Sequence, residues 1–163
     1  RHTRFRNVTG VQTCALPIYP EFRDKLMLMQ ADLMDRGVPT RVISGARSPE
    51  KQAQLYAQGR TAPGPVVTNA PPGSSLHNYG RAADLAPLES GQREAMYAGM
   101  KETAPEGGLT WGGSFKSLYD PAHVQMGNMS EVRRAGLAPI EGGRQAASKE
   151  EPSAVSKIGR AHV

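Results

Sequence analysis

The sequence contains a single cysteine and no long apolar segment. One cysteine cannot form an intramolecular disulfide, and it cannot supply the thiolates of a cysteine-based zinc knuckle. Because no apolar run approaches the roughly 18 residues that a membrane-spanning helix requires, a membrane span is also excluded. The length of 163 residues, 38% of them hydrophobic, fits one domain with a modest core.

The two ends of the sequence differ in kind from the rest. The string VTGVQTCALPI at residues 8–18 matches the translation of a common sequencing-library adapter. The string IGRAHV at residues 158–163 matches the same adapter in the opposite orientation. We therefore predict that residues 1–18 and 158–163 are adapter-derived artefacts, which have to be excluded from reasoning about the fold.

This exclusion changes the charge and the histidine count. The full chain has a net charge of +5, which would favour nucleic acid or another anionic partner. Four arginines lie in the two end segments. Without them the chain has 16 Lys and Arg and 15 Asp and Glu, which gives a net charge of +1. We therefore predict no nucleic-acid partner. Of the four histidines, only His77 and His123 lie outside the end segments.

Short helical and extended patterns alternate along the central part of the chain. The predicted elements, in order, are a helix over 20–36, a strand over 38–44, a helix over 48–59, a strand over 81–86, a helix over 90–103 and a final strand within 120–126. Residues 60–76 have the proline and glycine content of a loop, and long loops in compact domains are usually functional. The mixture predicts an α+β domain.

We place this domain at residues 19–130. Residues 131–157 contain few large apolar side chains and are predicted to form a flexible tail or linker.

Both remaining histidines lie near carboxylates. His77 precedes Asp84 in one segment, and His123 follows Asp120 in another. A lone histidine more often packs than binds a metal. Without cysteine, however, zinc takes imidazole and carboxylate ligands, and a catalytic site has three of them with one position open for water. His77, Asp84 and His123 supply such a set, and in a strand Ala82 and Asp84 would share one face and leave room for a metal.

Three motifs resemble those of the VanY-like zinc D-alanyl-D-alanine carboxypeptidase family. Residues 75–84, SLHNYGRAAD, match the family pattern SxHxxGxAxD, and the fuller string SxHNYGxAxDL is closer to the L-alanyl-D-glutamate endopeptidase branch, which includes phage endolysins. Residues 44–61, SGARSPEKQAQLYAQGRT, and residues 110–123, TWGGSFKSLYDPAH, resemble further motifs of that branch in the same order. The resemblance covers residues 42–126 and implies a hedgehog/DD-peptidase-like fold, a small antiparallel sheet with flanking helices.

The resemblance also implies roles for five residues. His77, Asp84 and His123 match the ligands of one catalytic zinc ion. Asp120 matches the acidic residue that activates water and then protonates the leaving amine. Arg47 matches an arginine whose charge polarises the scissile carbonyl and stabilises the oxyanion.

Five other residues are assigned to substrate contact or to support of the site: Ser75, Gln52, Tyr79, Trp111 and Gln125. Ser75 either bonds near the metal or substrate or stabilises a turn, and Gln52 orients Arg47, contacts substrate or lies exposed on its helix. Tyr79 and Trp111 either line the cleft or pack.

Gln125 would share a strand face with His123 and support it from outside the ligand set. Ser114 stands where the endopeptidase-like pattern often has Asp, which leaves the substrate preference open.

The resemblance implies a zinc metallopeptidase that hydrolyses an amide bond in peptidoglycan stem peptides, with the L-Ala-D-Glu bond as the first candidate. A D-Ala-D-Ala carboxypeptidase, a non-catalytic zinc-stabilised cell-wall binding module and a wall-anchoring domain are the alternatives, because a fold does not fix an activity. We expect a monomer that acts at the bacterial cell wall or in the periplasm. Phage and bacterial origin both stay open.

Overall fold

A computed structural model describes residues 19–141. The helices in this part of the chain are α1 (Pro20–Asp35), α2 (Pro49–Ala57), α3 (Arg93–Glu106) and α4 (Met129–Arg134). The strands are β1 (Thr40–Ser44), β2 (Ala82–Pro87), β3 (Thr110–Trp111) and β4 (His123–Gln125), and 3₁₀ turns cover Leu76–Tyr79 and Gly112–Ser114. Both segments predicted to be adapter-derived, 1–18 and 158–163, lie outside the described residues. Within 19–141, no helix has the length and apolar character needed to cross a membrane.

The strands form one antiparallel sheet in the order β1-β2-β4-β3. Helices α1 and α3 pack on one face of it, and their apolar residues recur at helical spacing toward the sheet. The resulting core contains Phe22, Leu26, Met29, Leu33, Ala83, Leu85, Met96, Met100 and Val124. Gly99 allows the two helices to approach closely, since a Cβ there would collide with the side chain of Leu33. The predicted α+β class with a small antiparallel sheet and flanking helices is confirmed.

The third helix and the strand that follows it differ from the prediction. Helix α3 starts at Arg93 and continues through Pro105 to Glu106, past the predicted end at residue 103. The turn remains bonded around the proline, because the amides of Gly107 and Leu109 donate to the carbonyls of Thr103 and Ala104. Residues 109–113, for which no strand was predicted, include β3, which pairs with β4.

The domain continues past the predicted boundary at residue 130. Helix α4 packs Val132, 1% exposed, against Leu76 and Ala82. Farther on, Ile140 is buried and its amide donates to the carbonyl of Asn78 over 2.7 Å. These two apolar anchors order the polar segment up to residue 141, so the first part of the expected flexible tail belongs to the domain. The remainder, 142–157, lies outside the described residues.

Candidate metal centre and active site

Strands β2 and β4 bring Asp84 and His123 together. Their register pairs Asp84 with His123 and Ala82 with Gln125. Residues directly opposite each other in an antiparallel pair share a face. The carboxylate and the imidazole therefore leave the sheet side by side, with Asp84 Oδ1 3.1 Å from His123 Nδ1. The expectation that Ala82 and Asp84 share one face is confirmed by this register.

His77 approaches the same point from the 3₁₀ turn Leu76–Tyr79. Ser75 caps this turn, its hydroxyl accepting the His77 amide, and Gly80 ends it with a φ of 65°. The Nδ1 of His77 donates to the carbonyl of Gly45 over 2.7 Å. This bond turns the Nε2 of His77 toward the other two side chains, 3.4 Å from Asp84 Oδ1 and 3.3 Å from His123 Nδ1.

The three side chains fit a zinc ion. Tetrahedral zinc with bonds of about 2.0–2.1 Å has ligand atoms about 3.3–3.4 Å apart, and the three separations here are 3.1, 3.3 and 3.4 Å. Both histidines are buried, at 3% and 7% exposure, while Asp84 is partly open to the cleft. Two imidazoles and a carboxylate with one open side match the donor set of a catalytic rather than a closed structural site.

The electrostatics of the cluster favour a cation at its centre. Burial by itself would raise the pKa of Asp84, but hydrogen bonds with His123 and His77 hold that pKa well below its ordinary value. Burial would likewise lower the pKa of His123, yet its hydrogen bond with Asp84 and the carboxylate charge raise that pKa. The carboxylate thus stays ionised and stabilises a positive charge, either a proton or a metal ion, between the rings.

Arg47 lies beside the cluster in a fixed orientation. Its guanidinium donates to Gln52 Oε1 and to Ser44 Oγ, each over 2.9 Å, and Nη2 lies 3.5 Å from Asp84 Oδ2. Its amide donates to the carbonyl of His77 over 2.9 Å. Burial lowers the pKa of Arg47, and the charge of Asp84 opposes this effect. A guanidinium held in this way presents its remaining donors to the cleft with little freedom to turn away.

Asp120 lines the same cleft from a tight turn. Its amide donates to the carbonyl of Gly112, and its own carbonyl accepts from the amide of His123. Only glycine fits at position 112, because a Cβ there would collide with the Asp120 carbonyl. Burial raises the pKa of Asp120, although the charge of His123 acts in the other direction. A carboxyl group with a raised pKa is suited to taking up and releasing a proton.

The contacts of Gln52 and Ser75 can be compared with the roles predicted for them. Gln52 is fully buried, accepts from Arg47 and donates through Nε2 to the carbonyl of Ala70 over 2.7 Å. Of the three alternatives for Gln52, the contacts match orientation of Arg47. Ser75 lines the cleft and also caps the turn of His77, so its position is compatible with substrate contact and with turn stabilisation.

The aromatic residues Tyr79 and Trp111 pack against the apolar clusters instead of lining the cleft. The Tyr79 hydroxyl donates to the Gly73 carbonyl, and Trp111 Nε1 donates to the Pro121 carbonyl beside Asp120. Ser114 lies outside the cleft, with its hydroxyl donating to the carbonyl of Trp111.

Asn78 is a supporting residue to which sequence reasoning gave no role. Its side chain is fully buried, donates to the Arg47 carbonyl over 2.8 Å and accepts from the Gly73 amide over 3.0 Å. It thereby connects the segment that carries Arg47 to the turn that carries His77. The available signal was a short polar residue inside the SLHNYG string, directly after a candidate ligand.

The cluster opens into a cleft of about 540 Å³. Apolar side chains flank the polar centre: Ile43, Leu55, Val67, Phe115, Leu118 and Met129. Residues 67–70 of the long loop form part of the wall, together with Ser74 and Ser75. Among the described residues that line the cleft, Arg47 is the one arginine or lysine, and it lies near the carboxylates of Asp84 and Asp120.

Comparison with known proteins assigns the family. A family model described as D-alanyl-D-alanine carboxypeptidase matches residues 68–126, which include His77, Asp84, Asp120 and His123. The peptidoglycan L-alanyl-D-glutamate endopeptidase CwlK of Bacillus subtilis (strain 168) is 30% identical over 122 residues, which cover 67% of this chain and 73% of that protein. The chain belongs to the D-alanyl-D-alanine carboxypeptidase family.

Solved structures share the fold of this family member. The vancomycin resistance D,D-pentapeptidase VanY, solved in complex with Zn(II), matches with a TM-score of 0.56 at 19% identity over 78% of this chain and 84% of that one. DacB from Streptococcus pneumoniae matches with a TM-score of 0.54 at 21% identity over 74% and 73%. The predicted family and the predicted peptidase class are thus confirmed, and the donor set fits the predicted zinc ion.

Proposed function

We propose that this chain is a zinc-dependent peptidoglycan endopeptidase that hydrolyses the L-Ala-D-Glu bond of stem peptides at the bacterial cell wall. The observation that carries the proposal is the convergence of His77 Nε2, Asp84 Oδ1 and His123 Nδ1 within 3.4 Å, beside Arg47 and Asp120. The name of the Bacillus subtilis relative supports the choice of bond.

In this proposal His77, Asp84 and His123 hold one zinc ion. Such an ion supplies Lewis acidity and lowers the pKa of water in the open position. Asp120 accepts a proton from the attacking water and returns it to the amine that leaves. Its turn is bonded to the His123 amide, which keeps the carboxyl group near the ligands without making it one of them.

Arg47 stabilises the oxyanion that develops on the scissile carbonyl. Its contacts with Gln52, Ser44 and Asp84 leave part of its fork of donors free for the substrate. Because those contacts exist before substrate binds, little reorganisation accompanies the reaction. A purely structural zinc site needs neither a proton acceptor nor an oxyanion partner, and this argues against the binding-module and wall-anchoring alternatives.

The two candidate activities differ in the position of the scissile bond, which is internal to the stem peptide in one case and C-terminal in the other. The name of the Bacillus subtilis relative puts the internal bond first. A D-Ala-D-Ala carboxypeptidase remains the second candidate because the matching family model carries that description.

Peptidoglycan as substrate places the enzyme at the cell wall or in the periplasm, and we expect it to act as a monomer. The direct test is digestion of purified sacculi by the full chain, with and without a chelator, followed by mapping of the new chain ends. We expect soluble fragments with a new D-Glu amine, no release in chelator, and recovery when zinc is added back.

Asp120→Asn separates catalysis from metal binding. We expect kcat to fall by about 10²–10⁴-fold, the range for loss of a general acid or base, with the zinc content unchanged. Asp24→Asn, an exposed carboxylate on α1, is the matched control. Release of free D-alanine without a new D-Glu amine would identify the carboxypeptidase instead. Digestion that is indifferent to both chelator and Asp120→Asn would refute the zinc mechanism.

A further inference from the structure

Different kinds of group orient the two histidines of the proposed metal site. His77 Nδ1 donates to a main-chain carbonyl, that of Gly45. His123 Nε2 instead lies 3.0 Å from the side-chain amide oxygen of Gln125. A carbonyl can only accept, so it fixes the tautomer of His77 directly. An amide side chain both donates and accepts, so its own orientation decides what it does to His123.

Gly127 determines which end of the Gln125 amide faces His123. The Nε2 of Gln125 lies 3.2 Å from the carbonyl oxygen of Gly127, which can only accept. The NH₂ group must therefore point to Gly127 and the oxygen to His123. The imidazole nitrogen at that oxygen, Nε2, then has to carry the hydrogen. Nδ1 is left as the nitrogen that faces Asp84 Oδ1 and His77 Nε2.

Gly127 lies in a close-packed turn directly after β4. Gly127 has a φ of 74°, and a Cβ there would collide with the carboxylate of Glu131. Glu131 in turn belongs to α4, whose first turn is capped by Asn128. Gln125 and His123 are two residues apart on β4 and therefore project from the same face. The strand thus places the oxygen of the Gln125 amide at His123, and the turn at Gly127 supplies the acceptor for its NH₂ group.

We propose that Gln125 is a positioning residue that keeps the hydrogen of His123 on Nε2 and so makes Nδ1 the zinc ligand. This inference rests on the proposed zinc site and deepens it. Partners that hold the second nitrogen of a histidine ligand change metal affinity by about 10–100-fold when they are removed. The corresponding partner of His77 is a backbone atom, so His123 is the ligand whose support a side-chain substitution can remove.

The test compares zinc dissociation constants, measured by competition with a chelator, in the unchanged chain, Gln125→Leu and Gln125→Glu. We expect Gln125→Leu to weaken zinc binding by about 10–100-fold. Gln125→Glu should weaken it far less, because a carboxylate oxygen accepts the same hydrogen. Gln30→Leu is the matched control, since Gln30 is a buried glutamine that contacts Thr40, away from the cleft.

A second measurement does not depend on any variant. Nitrogen-15 NMR of the zinc-loaded, unchanged chain should show the hydrogen of His123 on Nε2 and zinc coordination through Nδ1. The opposite assignment of nitrogens overturns the inference. It is also overturned if Gln125→Leu binds zinc as tightly as the unchanged chain, or if Gln125→Leu and Gln125→Glu lose the same amount of zinc affinity. If the unchanged chain binds no zinc, the proposed function fails together with the inference, which distinguishes that result from the others.

Discussion

The two faces of strands β2 and β4 differ in chemistry. One face places Ala83, Leu85 and Val124 in the core against α1 and α3. The opposite face places Asp84 and His123 in the cleft, next to Arg47 and Asp120. The residues of the two faces alternate along the same few positions of the chain, because successive side chains of a strand point to opposite sides.

This alternation makes one register responsible for both the core and the site. A slip of one residue would place the carboxylate in the core and Leu85 in the cleft. The faces nevertheless depend on different physics. Burial of apolar surface is non-directional, whereas the cleft face depends on the positions of single atoms. Substitutions on the cleft face should therefore remove function and keep the fold. Substitutions on the core face should lower the free energy of unfolding and leave the site intact in the molecules that remain folded.

The largest effect is expected from Asp84→Ala. Loss of one of the three ligands and of the negative charge between the two imidazoles should abolish zinc binding, and with it hydrolysis of peptidoglycan. The fold should persist, because Asp84 is partly exposed and its removal opens no apolar cavity. Zinc content by metal analysis, together with far-ultraviolet circular dichroism, checks both statements. Stoichiometric zinc in this variant would contradict the ligand assignment, and Asp24→Ala on the surface of α1 is the control.

The converse substitution is Leu85→Ala on the core face of the same strand. Leu85 is 1% exposed, and truncation of a buried leucine lowers the free energy of unfolding by about 2–5 kcal/mol. Zinc stoichiometry should stay unchanged wherever the protein is folded. Leu88→Ala is the matched control, since Leu88 is 60% exposed and its truncation should change that free energy by about 0.5 kcal/mol at most. If Leu85→Ala loses zinc before it unfolds, the two faces are not separable.

Features with local signals were predictable from sequence. Gly37 and the Ser48-Pro49 pair mark the end of α1 and the start of α2, and the structure has both, with a φ of 81° at Gly37 and a hydroxyl cap from Ser48. The candidate site was predictable because its residues lie in three motifs with fixed spacing. The structure brings His77, Asp84 and His123 within bonding range of one ion, as that hypothesis required.

Features that depend on distant partners were not predictable. Strand β3 has two residues and exists through its pairing with β4. Val132 and Ile140 are single apolar residues in a polar segment. Val132 is buried against Leu76 and Ala82, and the buried Ile140 is bonded through its amide to the carbonyl of Asn78. The contacts of Gln52 and Asn78 likewise cross from one segment to another. A single sequence shows these residues but not what they touch.

The smallest expected effect concerns Ser75, which both stabilises a turn and lines the cleft. Its hydroxyl accepts the amide of His77 over 3.3 Å, and the residue also lines the cleft. Because this hydroxyl is already bonded within the turn that carries His77, we assign it to capping that turn. Ser75→Ala should therefore lower the free energy of unfolding by about 1 kcal/mol. KM for a stem peptide should stay unchanged. Denaturant unfolding and steady-state kinetics measure the two quantities separately, with Ser114→Ala, outside the cleft, as the control. A raised KM with unaltered stability would instead identify Ser75 as a substrate contact, which would show that substrate binding also uses residues outside the sheet.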